Sequence, residues 1–491
     1  NYDVEDLRNR LISYLKIYKQ NNSNFFQIRK LCKANYRLIE KHYEFKGDFF
    51  LNSEEIATVM HLPGENVSTD DYNWVKSVKF PPPLKTVDAG NIIGYSNFRG
   101  LNKPIGLGVS DRLRHTYIIG KTGMGKSTLL LNMFLQDVTL GYGAALIDPH
   151  GDLVNDVLRF LPRNRINDVV LIESYYQSKS VKINLLEKRK GISNFVIISS
   201  VLSLFIKIFG QSWGPRLEYY LRNFVAALLD CDKTYTFLDL HRLFVDEAFC
   251  RQIVSELKDP LLKRFFRTEV LNLSDVQKRE FFSSILNKLG QFTLNSRIRS
   301  IIDSPKSTLD LGRMMQTNQV LLLDLAKGKL GEDSSMILGA IFVSKFQIEA
   351  FSRIERNPFF LYIDEFQNFA TSSFSVILSE ARKYGLGLIV ANQFLDQMDE
   401  AVMSSVFGNI GNLVVFQVGA LDAEFFSKQF ALKVEANDIL NLGKYEAYSQ
   451  ILVDGQVSSV FSFRSGAPPQ AAPFTHCIDQ IRANSRRRYY R

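Results

Sequence analysis

The residues most able to do chemistry stand in two clusters far apart in the chain. The first is Gly120-Lys121-Thr122-Gly123-Met124-Gly125-Lys126-Ser127, followed by Thr128. Glycines at these positions let a loop turn its backbone N–H groups onto phosphate oxygens, at the positive end of the helix dipole that follows. In that pattern Lys126 is placed to reach the β- and γ-phosphates of a nucleotide and Ser127 to ligate Mg²⁺. The second cluster is Leu361-Tyr362-Ile363-Asp364-Glu365. A hydrophobic strand that ends in two carboxylates is a poor core feature unless the carboxylates have a task. Asp364 fits a partner of the Mg²⁺ shell, and Glu365 fits the base that orients or polarises an attacking water.

Two further groups fall around these. Gln393 closes the run Gly387 to Ala391-Asn392. It reads as an amide able to sense the γ-phosphate or hold water, or else as a polar residue leaving the sheet. Arg382 lies in the basic turn before that run and on spacing alone reads as a solvated surface arginine. Asp148, His150 and Asp152 follow the next strand, where loops at the carboxyl ends of parallel strands face the site. Turn chemistry is the simpler reading for that trio.

The elements that must position these groups read as strands alternating with helices from Asn91 onward. Residues 115–119, 143–148, 169–173, 320–324, 359–364, 387–391 and 413–418 read as strands and 126–140 as a helix. Such alternation predicts a mostly parallel, doubly wound sheet. It breaks between about Lys190 and Ile302, where almost every segment has helical spacing. The expectation is an α/β, RecA-like P-loop motor domain of the additional-strand type, made of residues 89–189 and 306–465. An all-α insertion would occupy 190–305, an accessory region 1–88 and an irregular basic tail 466–491. The boundary near residue 88 follows Pro81-Pro82-Pro83, a triplet that stiffens the chain.

Bulk properties narrow the class. The chain has 491 residues, is 46% hydrophobic and 23% charged, and carries a net charge of +9. That is a folded protein of two or three domains, with a mild lean toward acidic partners such as nucleic acid or anionic lipid. Cys32, Cys231, Cys250 and Cys477 lack paired ligand spacing, which argues against a disulfide framework or a zinc site. The longest apolar run, Phe195 to Gly210, contains Lys207 and is too short for a membrane span, so a buried helix is expected. The sequence begins at Asn1 rather than Met, and an anchor ahead of it is left open.

Taken in order, the phosphate loop, the 147–153 turn, Tyr362 to Asn368 and Ala381 to Gln393 resemble the HerA–FtsK superfamily. Within it they resemble the type IV secretion coupling proteins, the TraD/TraG-like conjugative DNA-transfer ATPases, over about residues 90 to 460. The resemblance implies ATP and Mg²⁺ as cofactors and a homo-hexameric ring that threads DNA without sequence preference. It also implies an all-helical domain turned toward a relaxase or secretion-channel protein, and a cytoplasmic place at the inner face of the membrane if an anchor precedes the chain. Arg382 precedes Gln393 at the spacing of a trans-acting arginine in that family. Two departures stand against this: no transmembrane helix is visible, and Gln417 occupies a strand where relatives often carry an arginine. Arg486, Arg487 and Arg488 are the DNA-contact candidates; the aromatic-basic stretch from Arg29 to Lys46 could stack bases but reads more simply as an amphipathic helix with a solvated face. A HerA-like repair or defence translocase, a protein-secretion ATPase and a nucleotide-gated assembly scaffold remain as alternatives.

Overall fold

The computed structural model describes residues 77–85, 90–176, 179–189, 191–370, 374–469 and 475–491. The chain divides into a unit Asn1–Trp74 and a unit Val75–Arg491. The first unit, with the Arg29 to Lys46 stretch and Cys32, lies outside the described residues.

The second unit is built on an eleven-stranded sheet. Its strands are β1 (Asn91–Ser96), β2 (Pro104–Leu107), β3 (Thr116–Ile119), β4 (Gly143–Asp148), β5 (Val169–Glu173), β6 (Val320–Asp324), β7 (Phe359–Ile363), β8 (Leu386–Asn392), β9 (Asn412–Val415), β10 (Glu446–Gln450) and β13 (Phe461–Ser465). Two short strands, β11 (Leu452–Val453) and β12 (Gln456–Val457), form a separate ribbon. The order across the large sheet is β2-β1-β13-β10-β9-β3-β8-β7-β4-β6-β5. From β9 to β5 every pairing is parallel, and from β9 outward to β2 every pairing is antiparallel.

The parallel half is β-branched and leucine-rich because both of its faces are covered. In β4, Ala145 and Ile147 enter one core while Ala144 and Leu146 enter the other, the two-residue period of a strand read on both sides. Helix α1 (Lys126–Thr139) packs its Leu129, Leu130 and Met133 on the second face. The helices from α2 (Asn194–Phe209) through α3 (Pro215–Asp230) and α4 (Asp275–Thr293) to Ser296–Ile302 extend the core of the first face. Among the described residues no strand interrupts them. Their own centre is aromatic: the Phe224 and Phe244 rings stack with centroids 3.8 Å apart, and Phe205 meets Phe292 at 5.1 Å. Such pairs add about 0.5–1.5 kcal/mol each beyond area burial.

Helix α2 is buried as its apolar run predicts. A longer helix, α5 (Glu332–Phe351), has the length and apolarity of a membrane span, yet 89% of that stretch is buried inside the protein. Its Lys345 is buried too and is held by Glu187 at 3.3 Å and Glu349 at 3.1 Å.

Two expectations need correction. The antiparallel strands β1, β2, β10 and β13 were absent from the strand reading, because short runs such as Pro104–Leu107 carry no long alternation. The tail, expected to be irregular, contains helix α6 (Thr475–Tyr489), which packs along β5. Its docking combines apolar and polar contacts: Ile481 is buried in the second core, with Cys477 and Ile478 packed against it. The Leu171 N–H donates to Ser485 at 2.9 Å, and the Glu173 N–H donates to the Tyr490 hydroxyl at 2.8 Å. Little apolar periodicity was available to announce it.

Candidate functional site

The phosphate loop leaves β3 and enters α1, so its conformation is set by two rigid elements. Gly123 and Gly125 have φ of 81° and 122°, values that side-chain-bearing residues rarely adopt. A Cβ on Gly125 would also sit 2.8 Å from the Tyr445 ring. Neighbouring strands brace the loop. The Gly120 N–H bonds the Asn392 carbonyl at 3.4 Å, the Lys121 N–H bonds the Gln417 carbonyl at 2.7 Å, and the Tyr445 N–H bonds the Met124 carbonyl at 2.9 Å. Lys126 is buried and folds its ammonium onto the carbonyls of Gly120 and Lys121. Burial lowers its pKa, and the nearby charges of Asp364 and Glu365 oppose that shift. It is a desolvated cation hydrogen-bonded to carbonyls, with space beyond it for an anion.

The additional strand is visible in the order: β8 lies between the loop strand β3 and the acid strand β7. This brings Gln393, just past β8, between the loop and Glu365. Thr122 Oγ1 lies 3.1 Å from Gln393 Oε1, and Gln393 Nε2 donates to Glu365 Oε1 at 2.9 Å. Glu365 also meets His150 at 2.9 Å, Lys327 at 2.9 Å and Asn368 at 2.8 Å. Burial alone would raise the Glu365 carboxyl, but His150 and Lys327 outweigh it and draw the pKa down to about 2.

Asp364 behaves oppositely. Burial, reinforced by the charge of Asp148, lifts it to about 6. Asp148 is itself buried, which raises its pKa, and accepts the N–H groups of His150 at 2.8 Å and Val154 at 3.0 Å. Asp148 thus orders the 149–154 turn, and that turn carries His150 to Glu365. Asp324, opposite Asp148 in register, and Glu173, opposite Asp324, continue the row of acids along the carboxyl edge. Glu173 closes the row against Arg482 and Arg486 of α6.

Thr122, Lys126, Ser127, Asp148, His150, Asp364, Glu365 and Gln393 line a cavity of about 440 Å³ that also touches Thr128, Asp152, Lys444 and Pro468. The donor set fits a polyphosphate with Mg²⁺. One hydroxyl (Ser127) and one carboxylate (Asp364) supply hard oxygens, and Asp364, raised by burial and by Asp148, gains from a cation. Mg²⁺ is usually held by one or two carboxylates plus phosphates and waters rather than a full protein cage. Among the described residues no cluster of three or more His, Cys, Asp or Glu is placed to build such a cage.

The remaining candidates separate from this cavity. Arg382 is exposed in the 3₁₀ turn Ala381–Tyr384 ahead of β8, at the opposite edge of the sheet, and its side chain makes no hydrogen bond or ion pair among the described residues. A seven-residue strand places it about 20 Å from its own Gln393. Gln417 follows β9, which ends at Val415, and donates to the Leu440 carbonyl at 2.5 Å. Arg486 pairs with Glu173 and covers the Tyr176 ring at 3.6 Å, so it is committed to the fold, while Arg487 and Arg488 are exposed.

Sequence reasoning missed Lys327, Asn368 and Tyr445. Asn368 stands three residues past Glu365 in a run already singled out, which was a usable signal. Lys327 had none, since only the parallel pairing of β6 with β4 brings it to the site.

Residues 358–436, spanning β7, β8 and β9, match the family described as the TraM recognition site of TraD and TraG. The type 4 coupling protein DotL of Legionella pneumophila is 24% identical over 423 residues, 72% of this chain and 53% of DotL. The chain therefore spans about half the length of that relative. The plasmid coupling protein TrwB in complex with ADP and Mg²⁺ superposes with a TM-score of 0.56 at 14% identity, over 83% of this chain and 98% of TrwB. VirB4 of Thermoanaerobacter pseudethanolicus gives 0.55 at 16% identity, over 78% of this chain and 98% of VirB4. The chain has the RecA-like P-loop fold, and in sequence and architecture it is similar to the type IV coupling proteins.

Proposed function

We propose that the chain hydrolyses ATP with Mg²⁺ and uses the energy to move DNA, as a type IV coupling ATPase working in a homo-hexameric ring. The observation that carries the hydrolytic part is the contact of Gln393 with both the phosphate loop, through Thr122, and Glu365. That arrangement lets a group beside the γ-phosphate report to a group that handles water.

Bound Mg²⁺-ATP would supply the phosphoanhydride and the metal charge. The residues from Gly120 to Thr128 bind the phosphates through backbone N–H groups, with Lys126 neutralising charge that builds on the γ-phosphate. Ser127 and Asp364 hold the metal. Glu365 orients a water and receives its proton, and Gln393 fixes the water's other side. Arg382, on the edge away from its own loop, fits a residue presented to a neighbouring subunit's nucleotide. This is support for a ring. The helical block of residues 190–305, grown on one face of the sheet, is the part available to a relaxase or channel partner.

Glu365→Gln separates hydrolysis from binding. It is expected to retain a fluorescent ATP analogue and to lower turnover by about 10³-fold or more. Normal turnover in this variant sinks the hydrolytic reading and leaves the nucleotide-gated scaffold. The DNA part is tested by turnover against salt with single- and double-stranded DNA. Stimulation that fades with salt supports backbone tracking. No stimulation by either leaves an ATPase that energises something other than DNA.

A further inference from the structure

Glu365 has more hydrogen-bond donors than a working base can use. An ionised carboxylate offers about four acceptor sites. Here Oε1 takes Gln393 and His150, and Oε2 takes Lys327 and Asn368. All four sites are filled by side chains from four different loops, and none is left for a water. The backbone of Glu365 is also held in the left-handed region, φ 47° and ψ 52°. For a residue with a side chain that conformation costs about 1–2 kcal/mol and persists only when surrounding contacts enforce it.

The donors are unequal. Gln393 and Asn368 are neutral, and His150 is half-exposed, whereas Lys327 is a full cation with only 22% of its side chain exposed. Hydrogen bonds from a cation to a carboxylate are roughly twice as strong as neutral ones. The backbone of Lys327 is pinned in turn: its N–H bonds the Pro149 carbonyl at 2.9 Å, and the Ala326 N–H bonds Asp324 at 2.9 Å. The turn after β6 therefore delivers the ammonium from a fixed base, with four side-chain bonds free to rotate it away.

We infer that Lys327 is a positioning residue that latches Glu365 in a resting arrangement, and that hydrolysis requires the Lys327–Glu365 contact to open. This rests on Glu365 being the residue that handles water. With the latch closed, nucleotide binds and the base is occupied. With it open, one acceptor site of Oε2 is free for water, Asn368 holds the other, and Gln393 keeps Oε1 oriented. Basal turnover is thereby held below what the site can reach, and a stimulus such as DNA acts in part by opening the latch.

The test measures turnover of the full chain with and without DNA, together with binding of a fluorescent ATP analogue, for wild type, Lys327→Met and Lys327→Arg. Lys327→Met keeps the length and apolar stem but removes the donor. It is expected to raise basal kcat about five- to tenfold with KM and analogue affinity unchanged, and to shrink the stimulation by DNA by a similar factor. Lys327→Arg retains a cationic donor and is expected to stay near wild type. Basal kcat that falls or stays level in Lys327→Met, with binding intact, overturns the latch. A change in affinity without a change in kcat overturns it as well, since it places Lys327 on the nucleotide. If wild type and Lys327→Met both bind analogue and neither turns over, the hydrolytic reading falls and the latch with it. Turnover in wild type that Glu365→Gln abolishes, unaltered by Lys327→Met, sinks the latch alone.

Discussion

The two ends of strand β8 present opposite kinds of charge. At its carboxyl end Gln393 sits in a saturated network, where Thr122, Glu365, His150, Lys327 and Asn368 all have partners inside the same chain. At its amino end Arg382 is exposed, its side chain with no hydrogen bond or ion pair among the described residues, beside the buried, neutral His115. The charges at the carboxyl end are paired within one chain, whereas the Arg382 side chain at the far edge is unpaired among the described residues. The difference lies in where the sheet places each loop, since both ends belong to one strand.

After Glu365→Gln, the largest effect should come from the amino end. Arg382→Ala is expected to lower turnover of the assembled protein about 10³-fold, the scale of a trans-acting arginine, while each chain still binds analogue. Mixing this variant with Glu365→Gln should restore part of the activity, because each subunit then supplies what the other lacks. Full activity in Arg382→Ala removes the contrast between the two ends.

At the carboxyl end, Lys126→Ala is expected to weaken analogue binding by about 10²-fold or more, since a buried charge partner of the phosphates is lost. Its effect appears in binding, in contrast with Arg382. Gln393→Ala comes next. A single donor aimed at developing charge is worth about 10²-fold in kcat, and KM should hold. A rise in KM alone would place Gln393 on the nucleotide rather than on the water.

The smallest expected effect concerns stability and returns to the amino end. Burial, with the charge of Arg382 adding to it against a hydrogen bond to the Leu378 carbonyl, lowers the His115 pKa to about 4. The ring is thus neutral when folded, donating from Nε2 to the Leu378 carbonyl at 3.0 Å and accepting the Leu388 N–H at 3.1 Å through Nδ1. Because the folded pKa lies below the unfolded one, its stabilisation is whole above pH 6.5 and is lost as pH falls toward 4. The loss is on the order of 3 kcal/mol. Denaturant unfolding at pH 7 and pH 4.5 should show that slope, and His115→Gln should flatten it whatever it does to absolute stability. An unchanged slope would falsify the assignment of a neutral buried ring. Arg382→Ala should reduce the slope slightly, because the charge that helps keep His115 neutral is gone.

Much of the parallel half was legible before the structure. Strands 143–148, 169–173 and 320–324 stand where their apolar runs placed them, since a strand buried on both faces needs a continuous hydrophobic sequence. The loop from Gly120 to Ser127 was legible because its chemistry is local: glycine φ values, then a helix start. The antiparallel wing was not, as β1, β2, β10 and β13 are short and gain stability from neighbours distant in sequence. Helix α6 escaped for a related reason: its few apolar residues, Cys477, Ile478 and Ile481, sit in a strongly polar sequence, and Ser485, Tyr490 and the Glu173 ion pairs add partners distant in sequence.

What the sequence determined by itself is the set of candidate groups: Lys126, Ser127, Asp364, Glu365 and Gln393, each marked by its position at the end of a strand or the start of a helix. The tertiary structure decided which of them touch, and what restrains them. Glu365 and its strand could be read from five residues, but His150, Lys327, Asn368 and Gln393 arrive from four separate loops. Their meeting depends on the order β8-β7-β4-β6, a consequence of crossover connections that local sequence does not encode.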